Sequence, residues 1–149
     1  MDTKIKGDIA EQAALLHALK RNWGVLRPQG DRLPYDLVFD ILGRLVKVQV
    51  KCAWLDASSK NFVVDTRRTK TNRRRMKRQK YCAQDFDFAL VYIPVHDLFY
   101  IFPVEVFISY GSEIQMVESG KRQRAPRSVV HRDAWDSILQ WATRGGIHV

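Results

Sequence analysis

The sequence predicts an α/β fold built on a mixed sheet, and three observations predict it. Apolar runs rich in Val, Ile, Leu and Phe, bounded by Gly, Pro and Asp, recur at Tyr35–Leu42, Leu45–Leu55, Phe86–Val95 and Leu98–Phe102. Helical periodicity is confined to the two ends of the chain. The long stretch between the second and third runs reads as a crossover, so hairpin-linked strands and a crossover share one sheet.

Lys4–Asn22 is predicted to be an amphipathic helix with Ile5, Ile9, Ala13 and Leu16 on its core side, extended by Ala10, Ala14 and Leu19. Asp8 is a candidate N-cap and Gly24 the stop. Val25–Arg27 reads as a short strand and Pro28–Arg32 as a polar loop. Two strands follow, around a turn at Gly43-Arg44, and Asn61–Val64 continues them or adds another. Asn72 is placed to cap a short surface helix running to Tyr81, with a thin apolar stripe at Met76 and Ala83. Phe86–Val95 is a buried strand, His96-Asp97 a turn, Leu98–Phe102 a strand, and Pro103 sits at the start of a short helix. Glu113–Glu118 reads as a last strand. Asp133 is expected to cap a C-terminal helix bearing Trp135, Ile138, Leu139 and Ala142, stopped by Gly145-Gly146. No repeat or low-complexity linker interrupts the chain, so residues 1–149 read as one domain.

Composition narrows the function classes. Hydrophobic residues make up 46% and charged residues 28%, an ordinary soluble balance, and no run of about 18 apolar residues exists to span a membrane. The N-terminus has acids within its apolar stretch and no small-residue cleavage site, so no signal peptide is expected and the location is expected to be cytoplasmic. Cys52 and Cys82 lack His or Cys neighbours at zinc spacing and read as reduced, packed thiols. His17, His96, His131 and His148 show no ligand spacing and read as surface or loop residues. The four tryptophans read as core or interface.

The net charge of +9 is concentrated. Thr66–Lys80 holds nine basic residues (Arg67, Arg68, Lys70, Arg73, Arg74, Arg75, Lys77, Arg78 and Lys80) and no acid, while the rest of the chain is balanced. A second basic loop carries Lys121, Arg122 and Arg124. Such a concentration points to a polyanion, most simply nucleic acid.

Beside this charge, the hairpin Pro34–Lys51 carries polar residues on one face. With Gly43-Arg44 as a two-residue turn, Asp36 faces Lys51, Val38 faces Gln49 and Asp40 faces Lys47, and alternation puts Asp36, Gln49 and Lys51 together. As plain cross-strand ion pairs, Asp36–Lys51 and Asp40–Lys47 would each contribute only about 0.2–1 kcal/mol. The basic segment and Glu11, a lone acid near the apolar side of the first helix, favour chemistry instead. Phosphodiester hydrolysis needs a hard cation held by oxygens and a basic or cationic group beside the attacking water. Asp36, Glu11 and the Gln49 carbonyl are suited to hold Mg²⁺, and Lys51 to position or deprotonate the water.

These residues resemble the PD-(D/E)xK nuclease core: Glu11 on a helix, Pro34-Tyr35-Asp36 on one strand and Gln49-Val50-Lys51 on the next. Tyr35 separates the proline from the aspartate, and Gln49 stands where the family has an acid. The Gln variant and the PVEVF segment are similar to the cyanobacterial group I intron homing endonucleases of that superfamily. The resemblance covers roughly Asp8 to Ser109 and leaves 110–149 as an elaboration. It implies a restriction-endonuclease-like core, a mixed sheet flanked by helices. It further implies cleavage of double-stranded DNA dependent on Mg²⁺, or Mn²⁺ in its place, by Asp36, Gln49 and Lys51 with Glu11 contributing. Gln49 removes one negative ligand, so lower metal affinity is expected, with Gln49 binding metal or orienting water. A Holliday-junction resolvase and a restriction enzyme would share the site, and a nucleic-acid-binding protein would have the charge without the cutting. One site cuts one strand, so a homo-oligomer, dimer or tetramer, is expected. Trp135, Ile138 and Trp141 of the C-terminal helix either supply that contact or complete the core.

Overall fold

A computed structural model of the chain describes residues 1–71, 76–120 and 125–144, with the backbone alone at 69–71 and 76–78. Helix α1 (Thr3–Lys20) begins at Asp2, whose side chain accepts a hydrogen bond from the Lys4 amide, so Asp2 and not Asp8 is the cap. The chain turns at Arg21 and Asn22, the latter left-handed at φ 61°, and Gly24 opens the next strand rather than stopping the helix.

Five strands form the main sheet in the order β1 (Gly24–Leu26), β2 (Leu37–Ile41), β3 (Arg44–Cys52), β8 (Phe88–Ile93), β9 (Leu98–Pro103). All neighbours are antiparallel except β3 and β8, so the sheet is mixed as expected. The crossover between β3 and β8 holds four short strands: β4 (Trp54–Leu55), β5 (Phe62–Asp65), β6 (Arg67–Thr71) and β7 (Met76–Lys80). After β9 come α2 (Val104–Ile108), β10 (Glu113–Met116) and α3 (Trp135–Arg144). A second sheet, β10-β5-β4, packs beside the first. Helix α3 opens just after Ala134, while Asp133 sits upstream in a left-handed turn at φ 54°. The expected stop at Gly145-Gly146 lies outside the described residues, as does His148.

The core has two layers. On one face of the main sheet, Ala10, Ala14 and Ala18 of α1 and Trp135, Ile138 and Ala142 of α3 pack on Leu37, Phe39, Val48, Leu90 and Phe99. On the other, Phe62, Val64, Phe107, Ile114 and Met116 cover Ala89, Val91, Tyr100 and Phe102.

The core side of α1 is its alanine stripe, while Ile5, Ile9, Leu16 and Leu19 are 43–50% exposed. Apolar residues surround this helix, so periodicity alone does not select a face, and small side chains let it lie close to the sheet. Trp135 and Ile138 are core. Trp54 is exposed. His17 stacks on Trp135 at 5.6 Å and meets Phe99 edge-on, so it is packed rather than superficial. Cys82 is exposed and Cys52 half-buried. The expected helix from Asn72 to Tyr81 is instead a ribbon: β6 and β7 pair antiparallel, Arg67 opposite Lys80 and Lys70 opposite Lys77. A ribbon needs no core stripe, and the sequence offers only a thin one. Asn72 itself lies outside the described residues.

Candidate active site

The β2–β3 hairpin turns through Leu42 (φ 54°) and Gly43 (φ 89°), and Ile41 pairs with Arg44. Positive φ at both central residues is the type I′ geometry that fits the twist of the flanking strands, with Gly at the second position. The Gly43 amide is held by Asp40 Oδ1 at 3.1 Å. The turn therefore lies one residue earlier than Gly43-Arg44. Leu37 faces Val48, and the Asp36 amide donates to the Val48 carbonyl at 2.9 Å, so Asp36 lies level with Gln49 rather than Lys51. A shift of one residue on each strand preserves side-chain parity. Asp36, Gln49 and Lys51 thus still share a face, the one that carries Ala89 and Val91 of the adjacent strand.

The three side chains are fixed by specific contacts. Asp36 Oδ2 accepts from the Gln49 side-chain amide and from the Val50 main-chain amide, each at 2.9 Å. A carboxylate only accepts, so Gln49 turns its Nε2 toward Asp36 and keeps Oε1 for another partner. Burial raises the Asp36 pKa from 3.8 to about 6; the Val50 amide and the Lys51 charge oppose the rise, and the Glu11 charge adds to it. Glu11 comes from α1, on the side opposite Leu16, and accepts from the Arg27 guanidinium just beyond β1. Lys51 donates from Nζ to the main-chain carbonyl of Arg67 at 3.0 Å and stands 5.3 Å from the ring centre of Tyr81. The proposed pairing of Asp40 with Lys47 is absent from the hydrogen bonds they make: Asp40 caps the turn, and Lys47 Nζ donates to the Gln84 carbonyl at 2.9 Å.

The donor set suits a hard divalent cation. Glu11 and Asp36 offer carboxylate oxygens and Gln49 an amide oxygen, and a half-buried carboxylate near a second one is what a bound cation relieves. Among the described residues no group of three His, Cys, Asp or Glu side chains converges to hold a metal.

The basic ribbon is rooted at this site. Arg67 begins β6 and Tyr81 follows β7, and both touch Lys51. Arg68 donates to the Arg32 carbonyl at 2.9 Å, in the loop that leads to Asp36. Lys70, Lys77 and Arg78 lie on the ribbon's backbone and Lys80 is exposed at its foot. Arg73, Arg74, Arg75, Lys121, Arg122 and Arg124 lie outside the described residues.

A sheet hairpin with this acid–amide–lysine face, a helix-borne glutamate and a parallel β3–β8 pair matches what comparison of sequences shows. The sequence profile of the PD-(D/E)XK endonuclease family matches residues 1–138. The chain belongs to the PD-(D/E)XK endonuclease family. It is a DNA endonuclease, and enzymes of this family generally use divalent metal ions. Among solved structures it is similar to a bacterial homing endonuclease, I-Ssp6803I, at 59% identity and a TM-score of 0.90, covering 97% of each chain. A search of curated proteins found no match.

Three residues near the site carry no sequence signal of their own. Arg27 pairs with Glu11, Tyr81 lies under Lys51, and Asp65 grips Arg67. Asp65 and Tyr81 border a feature visible in the sequence, the two ends of the basic run Thr66–Lys80.

Proposed function

We propose that this endonuclease is a homing enzyme that hydrolyses phosphodiester bonds at a long target in double-stranded DNA, with Asp36, Gln49 and Lys51 as its catalytic face and Glu11 contributing from α1. The observation that carries the reading is the meeting of that face with the root of a basic ribbon. The likeness to a homing endonuclease over 97% of both chains supports the target class.

In this reading Mg²⁺, or Mn²⁺ in its place, supplies the Lewis acid that polarises the phosphate and acidifies water. Asp36 and Glu11 would hold the cation through carboxylate oxygens, with Gln49 Oε1 as a neutral third oxygen or as an acceptor that orients water. Lys51 positions the attacking water and offsets the negative charge that builds on the phosphate. The ribbon, with Lys121, Arg122 and Arg124, binds the duplex. A two-stranded ribbon is of a size that the major groove admits, and arginines on it can bond guanine O6 and N7. The whole chain acts as one nuclease domain and works as a homo-oligomer, so that two sites meet two strands.

Cleavage of duplexes from a randomised library in Mg²⁺ tests the reading. Lys51→Ala and Asp36→Asn are expected to abolish cutting while leaving DNA binding largely intact. Cutting by either variant at the wild-type rate rejects the site. Cutting of four-way junctions of any sequence, in preference to one linear target, replaces the homing role with junction resolution.

A further inference from the structure

We infer that Asp65 is a positioning residue for DNA cleavage: it fixes Arg67 so that the Arg67 carbonyl orients the Lys51 ammonium, tying the catalytic lysine to the root of the basic ribbon. The inference deepens the proposed function and rests on its assignment of Lys51.

Asp65 ends β5 and belongs to the second sheet, not to the ribbon. Its carboxylate makes three contacts with one residue. Oδ1 accepts from the Arg67 main-chain amide at 2.8 Å and from Nε at 3.1 Å, and Oδ2 accepts from Nη2 at 3.1 Å. The fork fixes the side chain, and the amide contact fixes the peptide from which the ribbon starts. Thr66 between them is 2% exposed and bolted to the body, its amide donating to Ser112 at 3.0 Å and its hydroxyl to the Gly111 carbonyl. With its amide and guanidinium held, Arg67 has little freedom to turn its carbonyl away from Lys51 Nζ. Arg68 reaches the Arg32 carbonyl in the loop before Asp36, so the first two residues of the ribbon touch both sides of the candidate site.

Arg67 and Asp65 are both part-exposed, and such a pair contributes little to stability. An acid at the edge of a DNA-binding ribbon also opposes phosphate binding. Its removal therefore separates two quantities. Without Asp65, DNA affinity is unchanged or tighter, whereas the cleavage step slows because Lys51 is no longer aimed.

The test measures single-turnover cleavage at saturating DNA, and binding without divalent metal, on a duplex that the wild-type protein cuts. Asp65→Ala is expected to slow cleavage roughly 10–100-fold, the scale of a small misplacement of a catalytic group, with Kd unchanged or lower. Asp65→Asn keeps an acceptor for the Arg67 amide but not the charged fork, and is expected to recover part of the rate. Should Asp65→Ala not fold by circular dichroism, Asp65→Asn carries the test through the same split, slower cleavage at saturating DNA with Kd unchanged or lower in a folded protein. Lys51→Ala runs alongside. If it cuts normally, the assignment of Lys51 fails. If it is inactive while the Asp65 variants cut at the wild-type rate, or if they lose rate and affinity by the same factor, the positioning role is overturned alone.

Discussion

Asp36 carries a conflict between stability and function. Its pKa stands near 6 in the folded protein against an ordinary 3.8, first because it is buried and then because Glu11 is near. A carboxyl group with a raised folded pKa binds more protons folded than unfolded between those two values. Its contribution to stability therefore falls as pH rises from about 4 to 6, and the full cost remains above pH 6. A rise from 3.8 to about 6 corresponds to a cost on the order of 2–3 kcal/mol near pH 7 in metal-free protein. Asp36→Asn keeps an oxygen to accept from the Val50 amide and removes the half-buried charge. It is expected to raise the stability of the metal-free protein at pH 7 by up to that amount, to flatten stability between pH 4 and 6, and to abolish cleavage. Urea unfolding in chelator at several pH values checks this, and a variant less stable than wild type at pH 7 contradicts it. The grouping of Asp36, Gln49 and Lys51 was legible in sequence even though the register was off, because an even change in register leaves every side chain on its own face. The hold of Arg27 on Glu11 was not legible, since it joins elements that only the fold brings together; that of Asp65 on Arg67 spans two residues but depends on the bend between β5 and β6.

At the scale of elements, strand pairing was easier to read than turns. Leu42 and Gly43 share a type I′ turn, yet Gly at either central position gives a favoured hairpin turn, so the sequence alone leaves two registers open. Leu42 is 87% exposed and left-handed, a conformation that Asn tolerates far better. Leu42→Asn is expected to stabilise the protein by about 1 kcal/mol without changing cleavage, measured by the urea midpoint. The ribbon escaped prediction because its charge masks its strand character. Its register sets Lys70 opposite Lys77 and Arg67 opposite Lys80, and like charges across a pair repel. A polyanion relieves that repulsion, so amides of β6 and β7 are expected to gain hydrogen-exchange protection on DNA. If about six to ten phosphates are contacted, affinity is expected to fall roughly 10³–10⁵-fold between 50 and 200 mM salt. Unchanged exchange in β6 and β7 with a flat salt response removes the ribbon from the interface.

Across the whole molecule, the apolar surface has an uneven distribution. Helix α1 turns its alanines to the sheet and leaves Ile5, Ile9, Leu16 and Leu19 on the opposite side, each 43–50% exposed. That stripe runs into an apolar groove of about 320 Å³ lined by Met1, Ile9, Cys52, Trp54, Phe62 and Val95. The C-terminal helix cannot serve as the contact through Trp135 and Ile138, which are 3% and 0% exposed in the core. In the proposed homo-oligomer a second copy meets the second strand, and the α1 stripe is an apolar face placed to receive it. Ile9→Glu together with Leu16→Glu puts charges on that stripe and leaves Ala10, Ala14, Ala18 and the Glu11 side of the helix in place. The double variant is expected to remain folded, to scatter light as a 17.3 kDa monomer, and to nick one strand where the wild-type protein breaks both. A wild-type protein that is itself monomeric, free and on DNA, and that cuts both strands with first-order dependence on protein, rules out the second copy. A double variant that still assembles and breaks both strands moves the contact away from α1.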